Sequence, residues 1–76
     1  MKYMEDKILE IVNYIRANKK QKALVELKNS DRLREDIGFT SFDLAELTVR
    51  LEEEFDIDIF EDGLVTTIGE IYIKLK

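Results

Sequence analysis

Apolar residues recur at three- and four-residue intervals through the N-terminal segment. In MEDKILEIVNYI, Met4, Ile8, Ile11, Val12 and Ile15 fall on one side of a 3.6-residue period, with charged and polar residues between them. This spacing predicts an amphipathic first helix, closed by the polar, basic ANKK. The period is lost between residues 18 and 40. A short helical turn fits KALVELKNSDRL before a break at NSD, and Leu24, Val25, Leu27, Leu33 and Ile37 are expected to pack over the core as an ordered loop. The helical period returns in SFDLAELTVRLEEEF, where Leu44, Leu47, Thr48, Leu51 and Phe55 share a face. DIDIF alternates acid and apolar as a short extended segment does, and EDG offers a turn or a single helical turn. TIGEIYIKLK predicts a last helix with Ile68, Ile71, Tyr72 and Leu75 inward. Thr67 and Glu70 have the T-x-x-E spacing of a capping box there. The alternation of Ile71, Ile73 and Leu75 also suits a strand, but the helix is the better fit. The pattern describes one domain over residues 1–76, with three main helices and a long first loop.

Composition narrows the chemistry. A chain of 76 residues buries only about 60% of its unfolded surface, so modest stability is expected. It has no cysteine and no histidine, which removes disulfides and thiolate metal sites. No apolar run approaches the ~20 residues that cross a bilayer. The N-terminal segment mixes acids into a helical period and is no secretory signal; a cytoplasmic protein is expected. The net charge of −5 hides an asymmetry. Residues 1–34 carry nine Lys and Arg against five acids, whereas residues 35–62 carry only Arg50 against eleven acids. An acidic middle repels phosphate backbones and attracts basic protein surfaces, so protein partners are expected and nucleic acid is not. The run RANKKQK reads as a solvated helix end.

Ser41 stands just ahead of the second helix. A serine nucleophile needs an adjacent base, normally histidine, and the chain has none; a G-x-S-x-G elbow is missing too. No enzymatic activity is expected. Thr40 or Ser41 caps the helix, and Thr40 with Asp43 has capping-box spacing. One cap suffices, and two hydroxyls stand here. The second, left exposed, is well placed to carry a phosphate ester, whose charge would meet free N–H groups and the positive end of the helix dipole. The acids do not form a calcium loop: counted from Asp56, position six is Glu61 instead of glycine and position twelve is Thr67 instead of glutamate. No metal site is expected. Phe42, Ala45 and Val49 form a second apolar strip, rotated from the core stripe and bordered by Glu46, Glu52, Glu53 and Asp56. Such a strip suits a partner with basic residues around an apolar pocket, although Phe42 alone fits the core equally well.

The block EDIGFTSFDLAELTVRLEEEFDIDI resembles the central segment of acyl carrier proteins, whose usual form is E-D-L-G-x-D-S-L, then D-x-x-E-L, a leucine and EEEF. Glu35, Asp36, Ile37 and Gly38 match the approach, and Ser41 falls at the attachment serine. Asp43, Glu46, Leu47, Leu51 and EEEF at 52–55 follow in register without a gap. TIGEIYIKL is similar to the family's last helix. The match covers residues 33–76 and is only pattern-like over 1–32. The resemblance implies an all-α fold, a small four-helix bundle of three main helices plus one short helix. It also implies that a separate phosphopantetheinyl transferase esterifies Ser41 with 4′-phosphopantetheine, whose thiol carries an acyl group as a thioester in fatty-acid or related biosynthesis. The apolar interior beneath Leu47 and Leu51 would shelter part of the acyl chain. Asp43, Glu46, Glu52, Glu53 and Asp56 would meet basic patches on the transferase and on acyl-transfer and chain-elongating enzymes, and Phe42, Ala45 and Val49 would meet their apolar recesses. A monomer is expected. Thr40 stands where the family has aspartate and Phe42 where it has leucine, and the first loop is basic. These departures leave open a specialised polyketide or aminoacyl carrier, or an interaction module of the same fold with Ser41 unmodified.

Overall fold

The computed structural model describes residues 2–75; Met1 and Lys76, the ends of the expected domain, lie outside the described residues. Helix α1 spans Lys2–Asn18 and buries Met4, Ile8, Ile11, Val12 and Ile15, the five residues of the predicted stripe. Helix α2 spans Ser41–Phe55; Leu47 and Leu51 are fully buried, with Leu44 and Phe55 half-buried beside them. Helix α3 spans Ile68–Leu75 and buries Ile68, Ile71 and Leu75, with Tyr72 half-buried. Its start is fixed by the capping box read from the sequence. The Glu70 N–H donates to Thr67 Oγ1 at 3.2 Å, and the Thr67 N–H donates to Glu70 Oε1 at 3.0 Å.

The connections are ordered because they bury apolar side chains. Leu33 and Ile37 are buried in the first loop, and Leu24 and Leu27 are half-buried. Val25 departs from expectation, being 93% exposed. The Asn13 side chain pins the Leu24 backbone, accepting from its N–H at 2.8 Å and donating to its carbonyl at 2.9 Å. With Leu24 held inward, the next side chain of an extended backbone points out. Phe39 is a core residue that no periodicity marks. Among the described residues no strand forms. A single bridge joins Arg32 to Thr67, and the Gly69 N–H donates to the Asn29 carbonyl at 2.9 Å. A Cβ on Gly69 would lie 3.0 Å from that oxygen, so glycine lets α3 approach the loop closely.

Around EDG, where a turn or a single helical turn is expected, the chain makes turns closed by Glu61 N–H to Asp58 O and Gly63 N–H to Phe60 O, each 3.2 Å; among the described residues the fourth short helix that the resemblance implies is not present. Buried Ile59 and Val65 anchor this segment on either side. Asp56 ends α2 in the left-handed region at φ 60, its N–H donating to the Glu52 carbonyl at 2.8 Å. The last turn of α2 holds Glu52, Glu53 and Glu54 and no base.

Candidate functional site

The two hydroxyls at the start of α2 take different roles. Thr40 has an extended backbone at φ −86 and ψ 175 and caps the helix. Its Oγ1 accepts from the Asp43 N–H at 3.2 Å, and its own N–H donates to Asp43 Oδ2 at 2.9 Å. Both halves of the capping box are thus filled without Ser41. Ser41 is exposed on the first residue of the helix, and its Oγ accepts a hydrogen bond from Arg34 Nη2.

The C-terminal end of α1 holds this helix start in place. Arg16 Nη1 donates to the Ile37 carbonyl at 2.6 Å, and Lys19 Nζ donates to the Gly38 carbonyl at 2.9 Å. Gly38 sits at φ +86, a left-handed turn that swings Phe39 into the core. Lys19 also pairs with Asp43 Oδ2 at 2.6 Å and lies 5.9 Å from the centre of the Phe39 ring. RANKKQK is therefore a solvated helix end at exposed Lys20 and Lys22 but not at Lys19.

Asp43 corrects an expectation. The sequence places it among the partner-facing acids, but it is only 5% exposed. Its Oδ2 accepts from both Lys19 and the Thr40 N–H, so its charge is met inside the fold. Burial pushes its carboxyl up, but the Lys19 ammonium and the Thr40 N–H and hydroxyl outweigh burial and hold it below the usual carboxylate range. A folded value below the unfolded value of about 3.9 means that the ionised group stabilises the fold at neutral pH. That contribution is complete above the unfolded value and is lost as pH falls through the lower folded one. Asp43→Asn is therefore expected to be less stable than the parent at pH 7, with the gap closing below about pH 4. Asp36 and Glu70, also held low, are common to both proteins and cancel in the comparison. Denaturant titrations of the pair across pH check this; a gap that does not change between neutral and acid would contradict the assignment.

A cleft of about 550 Å³ opens beside Ser41. Its lining is largely apolar, from Leu33, Leu44, Ala45, Phe60, Leu64 and Val65, with Arg32, Arg34 and Glu35 beside them. Leu47 and Leu51 are fully buried and do not line it; the opening lies along the Leu44–Thr48 edge of α2.

The second strip of α2 is on the surface. Phe42 does not fold back but is 80% exposed, and Ala45 and Val49 are exposed with it. Glu52, Glu53 and Asp56 are exposed around them. Glu46 is half-buried, its Oε2 accepting from Arg50 Nε at 2.9 Å, and the Arg50 guanidinium stacks 4.2 Å over the Tyr14 ring. A partner's base must compete with Arg50 for this carboxylate. Arg34 and Lys19 were not singled out by sequence. Lys19 acts on a residue 24 positions away and Arg34 on one seven positions away across a turn without repeat, and only the basic character of residues 16–34 hinted at them.

Residues 20–72 match the family model for the phosphopantetheine attachment site. An acyl carrier protein of Sulfurovum sp. (strain NBC37-1) is 40% identical over 47 residues, covering 59% of this chain and 63% of that relative. No solved structure was found to match. No helix among the described residues is long and apolar enough to cross a membrane.

Proposed function

This chain belongs to the phosphopantetheine attachment family, and from that premise we propose that it is an acyl carrier protein, modified on Ser41 and working in fatty-acid or related biosynthesis. The observation that carries this reading is the division of labour at the start of α2: Thr40 does the capping, and Ser41 keeps an exposed hydroxyl at the mouth of an apolar cleft. The residues fit the group. Nothing in the helix start depends on the Ser41 hydroxyl, and the α2 N–H groups and Arg34 give a phosphate a favourable setting.

When bound, 4′-phosphopantetheine supplies a terminal thiol that holds an acyl group as a thioester. The rest falls to the chain's own residues. Ser41 provides the attachment oxygen, and with no histidine in the chain the proton is removed by a transferase, so the carrier itself is no catalyst. Leu44, Phe60, Leu64 and Val65 offer an alkyl chain an apolar lining against which to leave water. This lining favours an acyl cargo over a charged aminoacyl one.

Intact mass after co-expression with a broad-specificity phosphopantetheinyl transferase tests the reading. One added arm is expected. No addition with several transferases would leave an unmodified interaction module as the better account.

Docking is assigned to Phe42, Ala45 and Val49, ringed by Glu46, Glu52, Glu53 and Asp56. Charge governs encounter and apolar contact governs lifetime. Glu53→Lys is expected to slow association with the transferase, with the defect shrinking at high salt. Val49→Ala is expected to leave association nearly unchanged and to speed dissociation. Stopped-flow association and dissociation rates at two ionic strengths separate these effects; a Glu53→Lys variant with parental association at low salt would move docking off this face.

A further inference from the structure

Among the described residues, Arg34 is the one cation with a hydrogen bond to Ser41. It sits in the turn 33–36 between the two long helices, exposed, and lines the cleft. Its Nη2 donates to Ser41 Oγ. Among the described residues no carboxylate forms an ion pair with it, in contrast to Arg32, which is tied to Asp36 at 3.2 Å. The nearest acid along α2, Asp43, is already neutralised by Lys19 and turned into the fold. The hydroxyl thus stands beside an uncompensated guanidinium and away from any free carboxylate of its own helix turn.

Attachment changes what that guanidinium meets. Once esterified, Ser41 Oγ becomes a bridging oxygen and a poor acceptor. Two non-bridging oxygens, sharing one negative charge, then lie two bonds beyond it, on the phosphorus. A guanidinium is permanently charged, and its planar fork matches a phosphate better than a hydroxyl. We propose that Arg34 is a positioning residue that shifts from the Ser41 hydroxyl to the non-bridging oxygens of the phosphodiester and holds the root of the arm at the cleft mouth. The proposal rests on Ser41 being the attachment site. Arg34 restrains the root of the arm and leaves its far end free to move. It also supplies positive charge beside Ser41 where the neighbouring Thr40 carries none.

The test uses the full chain, labelled at arginine and charged with coenzyme A by the transferase, as the parent, Arg34→Gln and Arg34→Lys. Intact mass is read first, then the phosphorus NMR resonance of the phosphodiester and the Arg34 guanidinium signals. In the parent, attachment is expected to shift the Arg34 signals. The phosphorus resonance is expected to move and narrow in Arg34→Gln, as it would for a freely rotating ester. Arg34→Lys should restore part of the parental shift, and rising salt should carry the parent toward Arg34→Gln. A purely structural role for Arg34 would show none of these phosphorus effects. Arg34 is exposed, so both variants are expected to fold, and their thermal melts check it. A fully charged protein whose phosphorus signal is the same in the parent and Arg34→Gln overturns this inference alone. A parent that gains no mass overturns the carrier reading and this inference with it.

Discussion

Ser41→Ala is expected to fold as well as the parent and to gain no arm from any transferase. The side chain is exposed and the cap is supplied by Thr40, so removing the Ser41 hydroxyl breaks no hydrogen bond that holds the helix. It removes only the oxygen to which a phosphate is joined. Thr40→Ala is the mirror case. It deletes the acceptor of the Asp43 N–H and is expected to cost about 1 kcal/mol, yet the arm should still be added. Thermal melts and intact masses of both variants, side by side, separate capping from attachment. A Ser41→Ala chain that still gains the arm would move the site to another hydroxyl, with Thr40 the nearest candidate.

Leu47→Ala is expected to be, with Leu51→Ala, among the most damaging truncations on α2. Leu47 is fully buried, and replacing a core leucine by alanine costs ~2–5 kcal/mol through lost burial and the cavity left behind. Whole domains are stable by only about 5–15 kcal/mol, and a small one lies toward the lower end. The melting temperature should fall by about 4–8 °C for each kcal/mol lost. Val49→Ala, on the exposed strip, is expected to change stability by less than ~0.5 kcal/mol. A Leu47→Ala melt within a few degrees of the parent would mean that the core and docking faces of α2 have been exchanged.

The helices were legible because their apolar residues repeat. All five buried residues of α1, and Leu47 and Leu51 of α2, follow from period alone, and T-x-x-E marked the start of α3. The Thr40–Asp43 spacing announced the cap but not its consequence. An acid used in a capping box and buried against Lys19 cannot also face a partner, and that conflict appears only when a residue 24 positions away is brought alongside. The cleft beside Ser41 is not legible for a related reason. Period says which residues of α2 face inward, not whether the loops opposite fill the space; Phe60, Leu64 and Val65 leave it open at the Leu44 edge. Phe39, Val25 and Arg34 lie in stretches with no repeat, where turns and side-chain hydrogen bonds set direction residue by residue.

The acidic end of α2 costs the domain stability on its own. Glu52, Glu53 and Glu54 crowd a helix terminus that is itself partly negative and has no base in its last turn. The arrangement is a local frustration: the helix would be steadier with lysines there. A basic surface laid against it relieves mutual repulsion and dipole together, and whatever binds only the folded state adds to its population. On the proposed reading, the carrier therefore tightens on every enzyme it visits and relaxes when it leaves, so its melting temperature should rise in the presence of a basic partner and the gain should fade with salt. Neutralising Glu52 and Glu53 with glutamine would give a sturdier domain that its enzymes hold less well.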